Sequence, residues 1–184
     1  VTGPRLGIDT ATPFLSLALW WPEEERSERA VERVGRDLGA RLVPAVASFL
    51  EAHGVSRGDL AGIGVGVGPG SYTGARVGVA FALGLARARS LRVVGGDSVA
   101  ARAWAVVADG GSAWVAVETR RATALPSRWS RRAGVLTRLE ARAACPIPDL
   151  PANAVASLEV APDAVRHARA VDDREAGPPL VRYG

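Results

Sequence analysis

Residues 61–78 read Ala-Gly-Ile-Gly-Val-Gly-Val-Gly-Pro-Gly-Ser-Tyr-Thr-Gly-Ala-Arg-Val-Gly. The alternation of small and branched residues over 61–68 predicts a buried strand. The glycine-rich turn after it predicts a tight passage into a helix over about 74–89, with Ser71 or Thr73 as the capping hydroxyl. On the N-terminal side, residues 5–10 and 14–21 read as strands. The three-residue link between them, Ala11-Thr12-Pro13, implies a hairpin. Ala30, Glu32 and Val34 suggest an edge strand. After Asp37, a plausible cap, Leu38, Leu42, Val46, Phe49 and Leu50 share one helical face up to Gly54, with a kink expected at Pro44. On the C-terminal side come a strand over 91–95, a helix over 97–108 capped by Asp97 or Ser98, and a turn at 109–112. Further strands are expected at 113–118 and 122–130, and a short helix at 162–171 opened by Pro162. A hairpin followed by alternating strands and helices predicts an α/β fold with a mixed sheet. The weaker strand–strand start after 112 allows two related lobes.

The chain has 184 residues, 48% of them apolar and 23% charged, which are globular values. All 23 basic residues are Arg, and Lys, Gln and Met are absent, as mutational bias in a GC-rich genome would leave them. The net charge of +4 is a weak excess for a nucleic-acid binder. The single cysteine, Cys145, excludes an intrachain disulfide framework and fits a reducing cytoplasm, the expected location. His53 and His167 cannot form a His-x-x-x-His pair, so a histidine metal site is not expected. No transmembrane or targeting segment is read.

Chemistry or a partner can sit in four places. The turn at 68–76 can cradle phosphate on the free N–H groups of a helix start, with Arg76 as clamp; it reads equally as a tight strand-to-helix turn. It lacks the Gly-Lys-Ser/Thr of a Walker A loop, and Pro69 breaks the dinucleotide spacing. Asp9-Thr10, at the end of the first strand, can hold magnesium or a water, or form an Asx turn. Gly74, Gly78, Ala82 and Ala86 recur every four residues in a nearly all-apolar helix. That stripe lets another backbone approach, either the chain's own sheet or a partner covering a helix buried all round. An Arg-rich stretch, 120–142, can touch RNA phosphate or simply form a solvated face.

Ile8-Asp9-Thr10-Ala11, Leu42-Val43-Pro44 and Gly68-Pro69-Gly70-Ser71-Tyr72-Thr73-Gly74-Ala75-Arg76-Val77-Gly78 together resemble the TsaB (YeaZ) family. Gly84-Leu85-Ala86 and an ending from Pro178 to Arg182 fit as well. The resemblance implies an actin-like fold of the acetate kinase/Hsp70/sugar kinase superfamily, with two ribonuclease-H-like lobes, the second reduced. It implies lobes over 1–109 and 110–184, the first carrying the partner-binding helices. It further implies a non-catalytic subunit of a tRNA threonylcarbamoyl transferase complex. TsaD would be the obligate partner and TsaE an ATPase partner; tRNA would be reached through the complex, and a homodimer would form in their absence. ATP/ADP and magnesium would belong to the complex rather than to this chain. The interface would use Leu42, Val46, Phe49, Gly74, Gly78 and Ala82. Asp9, Thr10, Gly68, Pro69, Gly70, Ser71, Thr73, Gly74 and Arg76 would form the motif loop, a candidate vestigial phosphate site. The alternative is a small nucleotide-binding phosphotransferase or ATPase using Asp9 and the 68–76 loop. Glu118-Thr119-Arg120-Arg121 departs from the family's Asp-Ala-Arg-Arg pattern, and Leu38-Gly39 replaces its His-Ser.

Overall fold

The first strand, β1 (Arg5–Asp9), lies at the centre of a five-stranded mixed sheet. In the computed structural model, residues 2–118, 122–156, 161–173 and 176–180 are described. β1 pairs antiparallel with β2 (Phe14–Trp21), which pairs antiparallel with the edge strand β3 (Arg26–Arg33). On its other side β1 runs parallel to β4 (Gly62–Gly66), which runs parallel to β5 (Arg92–Gly96). The spatial order is therefore 3-2-1-4-5. The helices α1 (Leu38–Ala52) and α2 (Tyr72–Arg87) cover one face of this sheet. Leu6, Ile8, Ile63 and Val65 from the strands meet Leu42, Val46, Phe49, Val79 and Ala82 there in one core. Asp37 stands at the N-cap of α1, yet its side chain makes no capping bond, and the helix runs on through Pro44.

The opposite face has a floor of glycine. Gly7 and Gly64 are register partners on β1 and β4. A short C-terminal helix, α4 (Val165–Ala170), lies directly on them. A Cβ on Gly7 would fall 2.0 Å from the Ala164 carbonyl oxygen, and one on Gly64 would fall 1.7 Å from that of His167. The alternation of 61–68 thus serves two layers: branched side chains face α1 and α2, while bare backbone receives α4. Polar ties hold this segment at its flanks. Arg5 pairs with Asp172 at 2.8 Å, Arg29 with Asp163 at 3.2 Å, and Arg92 donates to the Val171 carbonyl at 2.8 Å.

The second sheet follows α3 (Ser98–Val106), which is capped by Asp97 through the Val99 and Ala100 amides. Its strand order is β10-β6-β7-β8, from β6 (Ser112–Glu118), β7 (Thr123–Arg132), β8 (Val135–Ala141) and β10 (Val155–Ala156); β9 (Cys145–Pro146) also pairs with β7. Val99, Ala100, Ala103 and Val107 pack on Val115, Val117 and Trp129 in a second core. The chain therefore crosses over twice: α3 lies on the second sheet, and α4 returns to the first. Among the described residues no helix is long and apolar enough to cross a membrane. Arg120, Arg121 and the Arg182 ending lie outside the described residues.

The glycine floor makes a direct prediction. Gly64→Ala should destabilise the fold by about 1–3 kcal/mol, because the added carbon meets backbone that cannot turn away. Gly39, within α1 and with nothing near its missing Cβ, should accept Ala and gain roughly 0.5–1 kcal/mol. Urea unfolding of the two variants measures both effects.

Candidate functional site

Asp9 ends β1 and is fully buried. One carboxylate oxygen accepts the Ala11 amide at 2.9 Å, closing the Asx turn that an aspartate at this position allows. The other lies 2.8 Å from Nε2 of His167, which is also buried. Ser98 adds a further hydrogen bond. Burial alone would raise the Asp9 carboxyl. The bond and charge of His167, with the bonds from Ser98 and Ala11, outweigh it and hold Asp9 below its ordinary value. Asp9 is thus an anionic acceptor, so His167 carries its proton on Nε2. The glycines around the pair leave it just enough space: a Cβ on Gly66 would fall 2.1 Å from the Asp9 carboxylate, and one on Gly96 would fall 2.1 Å from Nδ1 of His167. Arg102, buried on α3, adds its charge from nearby. Its own pKa is lowered by burial and supported by Asp9, Asp97 and Glu118.

The motif loop folds against this centre. Gly68-Pro69 is a cis peptide bond. Ser71 caps α2 by accepting the Gly74 amide at 3.1 Å. The Val67 amide donates to the Gly96 carbonyl, the Gly68 amide to Ser98 Oγ, and the Ser71 amide to the Ala11 carbonyl. These three amides are engaged inside the chain. Thr10 is buried and donates to the Gly74 carbonyl at 2.8 Å. Arg76 is turned away from the loop: it donates to the Tyr72 hydroxyl at 2.8 Å, with its guanidinium over that ring. Thr73 is exposed. The structure therefore brings Asp9, Thr10, Gly68, Gly70, Ser71 and Gly74 together as a closed hub, with Arg76 outside it.

The small-residue stripe of α2 faces inward. A Cβ on Gly74 would fall 2.1 Å from the Thr10 carbonyl oxygen, and one on Gly78 would fall 2.2 Å from Thr10 Oγ1. Ala82 is fully buried in the first core, as are Leu42 and Val46, with Phe49 nearly so. Leu42, Val46, Phe49 and Ala82, expected at the interface, thus pack in the core beneath the first sheet. The helix is not buried all round: Tyr72, Arg76, Ala80, Leu83, Gly84 and Arg87 are exposed. A small stripe on a helix crossing a strand end is filled most cheaply by that strand, which is why the chain's own β1 occupies it.

A family described as TsaD, tRNA N6-adenosine threonylcarbamoyltransferase, matches residues 32–124. The tRNA threonylcarbamoyladenosine biosynthesis protein TsaB of Escherichia coli (strain K12) is 33% identical over 90 residues, 49% of this chain and 38% of that protein. The chain belongs to the TsaB/YeaZ family. The aligned segment spans 38% of the length of that curated relative. Among solved structures, YeaZ from Pseudomonas aeruginosa superposes with a TM-score of 0.82 at 24% identity over 100% of both chains. A second P. aeruginosa structure, described as an uncharacterized protein with similarity to peptidase YEAZ, superposes with a TM-score of 0.81 at 22% identity over 99% of both. At these identities the likeness is one of fold. Among the described residues no cluster of three or more His, Cys, Asp or Glu could hold a metal ion.

His167, Ser98 and Arg102 are partners of Asp9 that reading the sequence does not find. The faint signal was glycine at 66 and 96, on strands where a larger residue would add packing.

The hub makes two predictions. His167→Leu leaves Asp9 a buried anion without its partner and should cost about 3–5 kcal/mol at neutral pH. Because Asp9 is lowered in the folded chain, its contribution is complete above about pH 4 and is lost as pH falls through its folded value. The urea midpoint of the wild type should therefore fall more on acidification than that of Asp9→Asn. Separately, Gly78→Leu with Ala82→Leu should lower the melting temperature by roughly ten degrees, at about 1–3 kcal/mol per site.

Proposed function

We propose that this chain is a non-catalytic partner subunit in the formation of threonylcarbamoyladenosine on tRNA, docking on a TsaD-type transferase through the outer face of α1 and α2. The observation that carries this reading is that face. Val43 is 58% exposed, Leu83 47% and Tyr72 45%, with Phe81 and Val77 half-buried beside them. Apolar groups gathered on adjoining helices mark an interaction surface. The helices that present them lie within the segment matched by the family. In this reading the two sheets are the lobes of an actin-like fold, the second the smaller. The internally bonded motif loop supports a structural role for Asp9 and residues 68–76, with nucleotide, magnesium and the transfer step left to TsaD and TsaE. In the absence of TsaD, a second copy of the chain would cover the same face.

The test is co-purification with the TsaD of the same genome, followed by tRNA modification with and without this chain. Val43→Asp with Leu83→Asp should lose TsaD binding by a hundredfold or more, taking about 1.4 kcal/mol as each tenfold, while melting as the wild type does. A double variant that binds TsaD normally sinks the assignment of the face; TsaD that modifies tRNA fully without this chain sinks the assignment of the function.

A further inference from the structure

α3 covers only one face of the second sheet. On the other face Trp114 of β6 stands opposite Arg128 of β7. Arg132 shares that face, four residues further along the strand. The guanidinium of Arg142, just beyond β8, lies over the Trp114 ring at 4.3 Å. Arg128, Arg132 and Arg142 are exposed, and Trp114 is half-buried. Arg128 donates to Ser112 Oγ at 3.3 Å. One acid interrupts the group: Glu140, opposite Arg128, accepts from Arg142 at 2.7 Å.

We propose that this face binds single-stranded RNA. A planar cation stacked on an indole offers a base a surface to stack on, and the neighbouring guanidiniums of Arg128 and Arg132 meet the flanking phosphates. A sheet presenting an aromatic ring within a basic field is a sequence-tolerant platform for unpaired bases. Charge complementarity selects a polyanion. The aromatic ring selects one with flat faces over an acidic peptide. The choice of RNA over DNA rests on the tRNA reading given above.

The experiment uses the full chain and a fluorescein-labelled twelve-nucleotide oligouridine, read by anisotropy across a salt series. At about 50 mM salt the dissociation constant should lie between about 10⁻⁶ and 10⁻⁴ M. The slope of log K against log salt should be about −2, from roughly −0.7 for each arginine on a phosphate. Arg128→Glu with Arg132→Glu should weaken binding more than tenfold and flatten the slope. Arg57→Glu with Arg87→Glu, exposed on the first lobe, should do neither. Trp114→Leu should weaken binding at least fivefold with the slope unchanged, as loss of stacking requires. Glu140→Gln frees Arg142 and should tighten binding up to about fivefold, a gain that misfolding cannot imitate. Oligouridine that does not bind, or that binds equally well to the Arg128/Arg132 variant, overturns the proposal. So does loss of TsaD co-purification in that variant with oligouridine binding intact, which would give the face to a protein. If TsaD still co-purifies and the RNA never binds, this inference fails and the proposed function stands.

Discussion

The architecture depends on one close approach. The backbone of α4 rests on β1 and β4 where Gly7 and Gly64 leave no side chain between them. At that distance His167 reaches Asp9, and the two meet fully buried. The rest of the hub is arranged around it. The Asx turn at Ala11 starts the hairpin, Ser98 ties the start of α3 to the motif loop, and Thr10 ties β1 to α2. A buried carboxylate is costly to desolvate, and Asp9 is held here by the hydrogen bonds from His167, Ser98 and Ala11.

This arrangement explains why a loop with a phosphate-binding look serves as a joint. Its glycines do provide unusual backbone, with Gly68 and Gly70 at positive φ. The amides of Val67, Gly68 and Ser71 are met by Gly96, Ser98 and Ala11. The same residue types can build a cradle or a knot, and which one forms depends on what lies across from them.

Much of the first lobe was legible because its signals are local. The strand at 62–66, the Ser71 cap and the Asp97 cap all follow from neighbouring residues. The inward face of α1 was legible too, since helical period alone places Leu42, Val46 and Phe49 together. β8 was missed: its seven residues, Val135–Ala141, carry Arg138 and Glu140 and lie largely exposed, so no apolar alternation marks them. The return of α4 was illegible for another reason. Val165–Ala170 reads as a small amphipathic helix that could sit on either sheet. Only the bare backbone of distant strands decides between them. The stripe of α2 was legible as a close contact, and its counterpart, Thr10, was not.

The pairing of His167 with Asp9 joins residues 158 apart in the chain. During synthesis the first sheet would therefore leave the ribosome with one face uncovered, and it would wait for the 158 residues that follow Asp9, up to His167, before α4 could close it. Contacts of such separation slow folding and prolong the time that unfinished surface is open to aggregation. The first sheet is thus early in sequence and late in completion. Its folding is tied to translation of the second sheet, so the two are made as one unit.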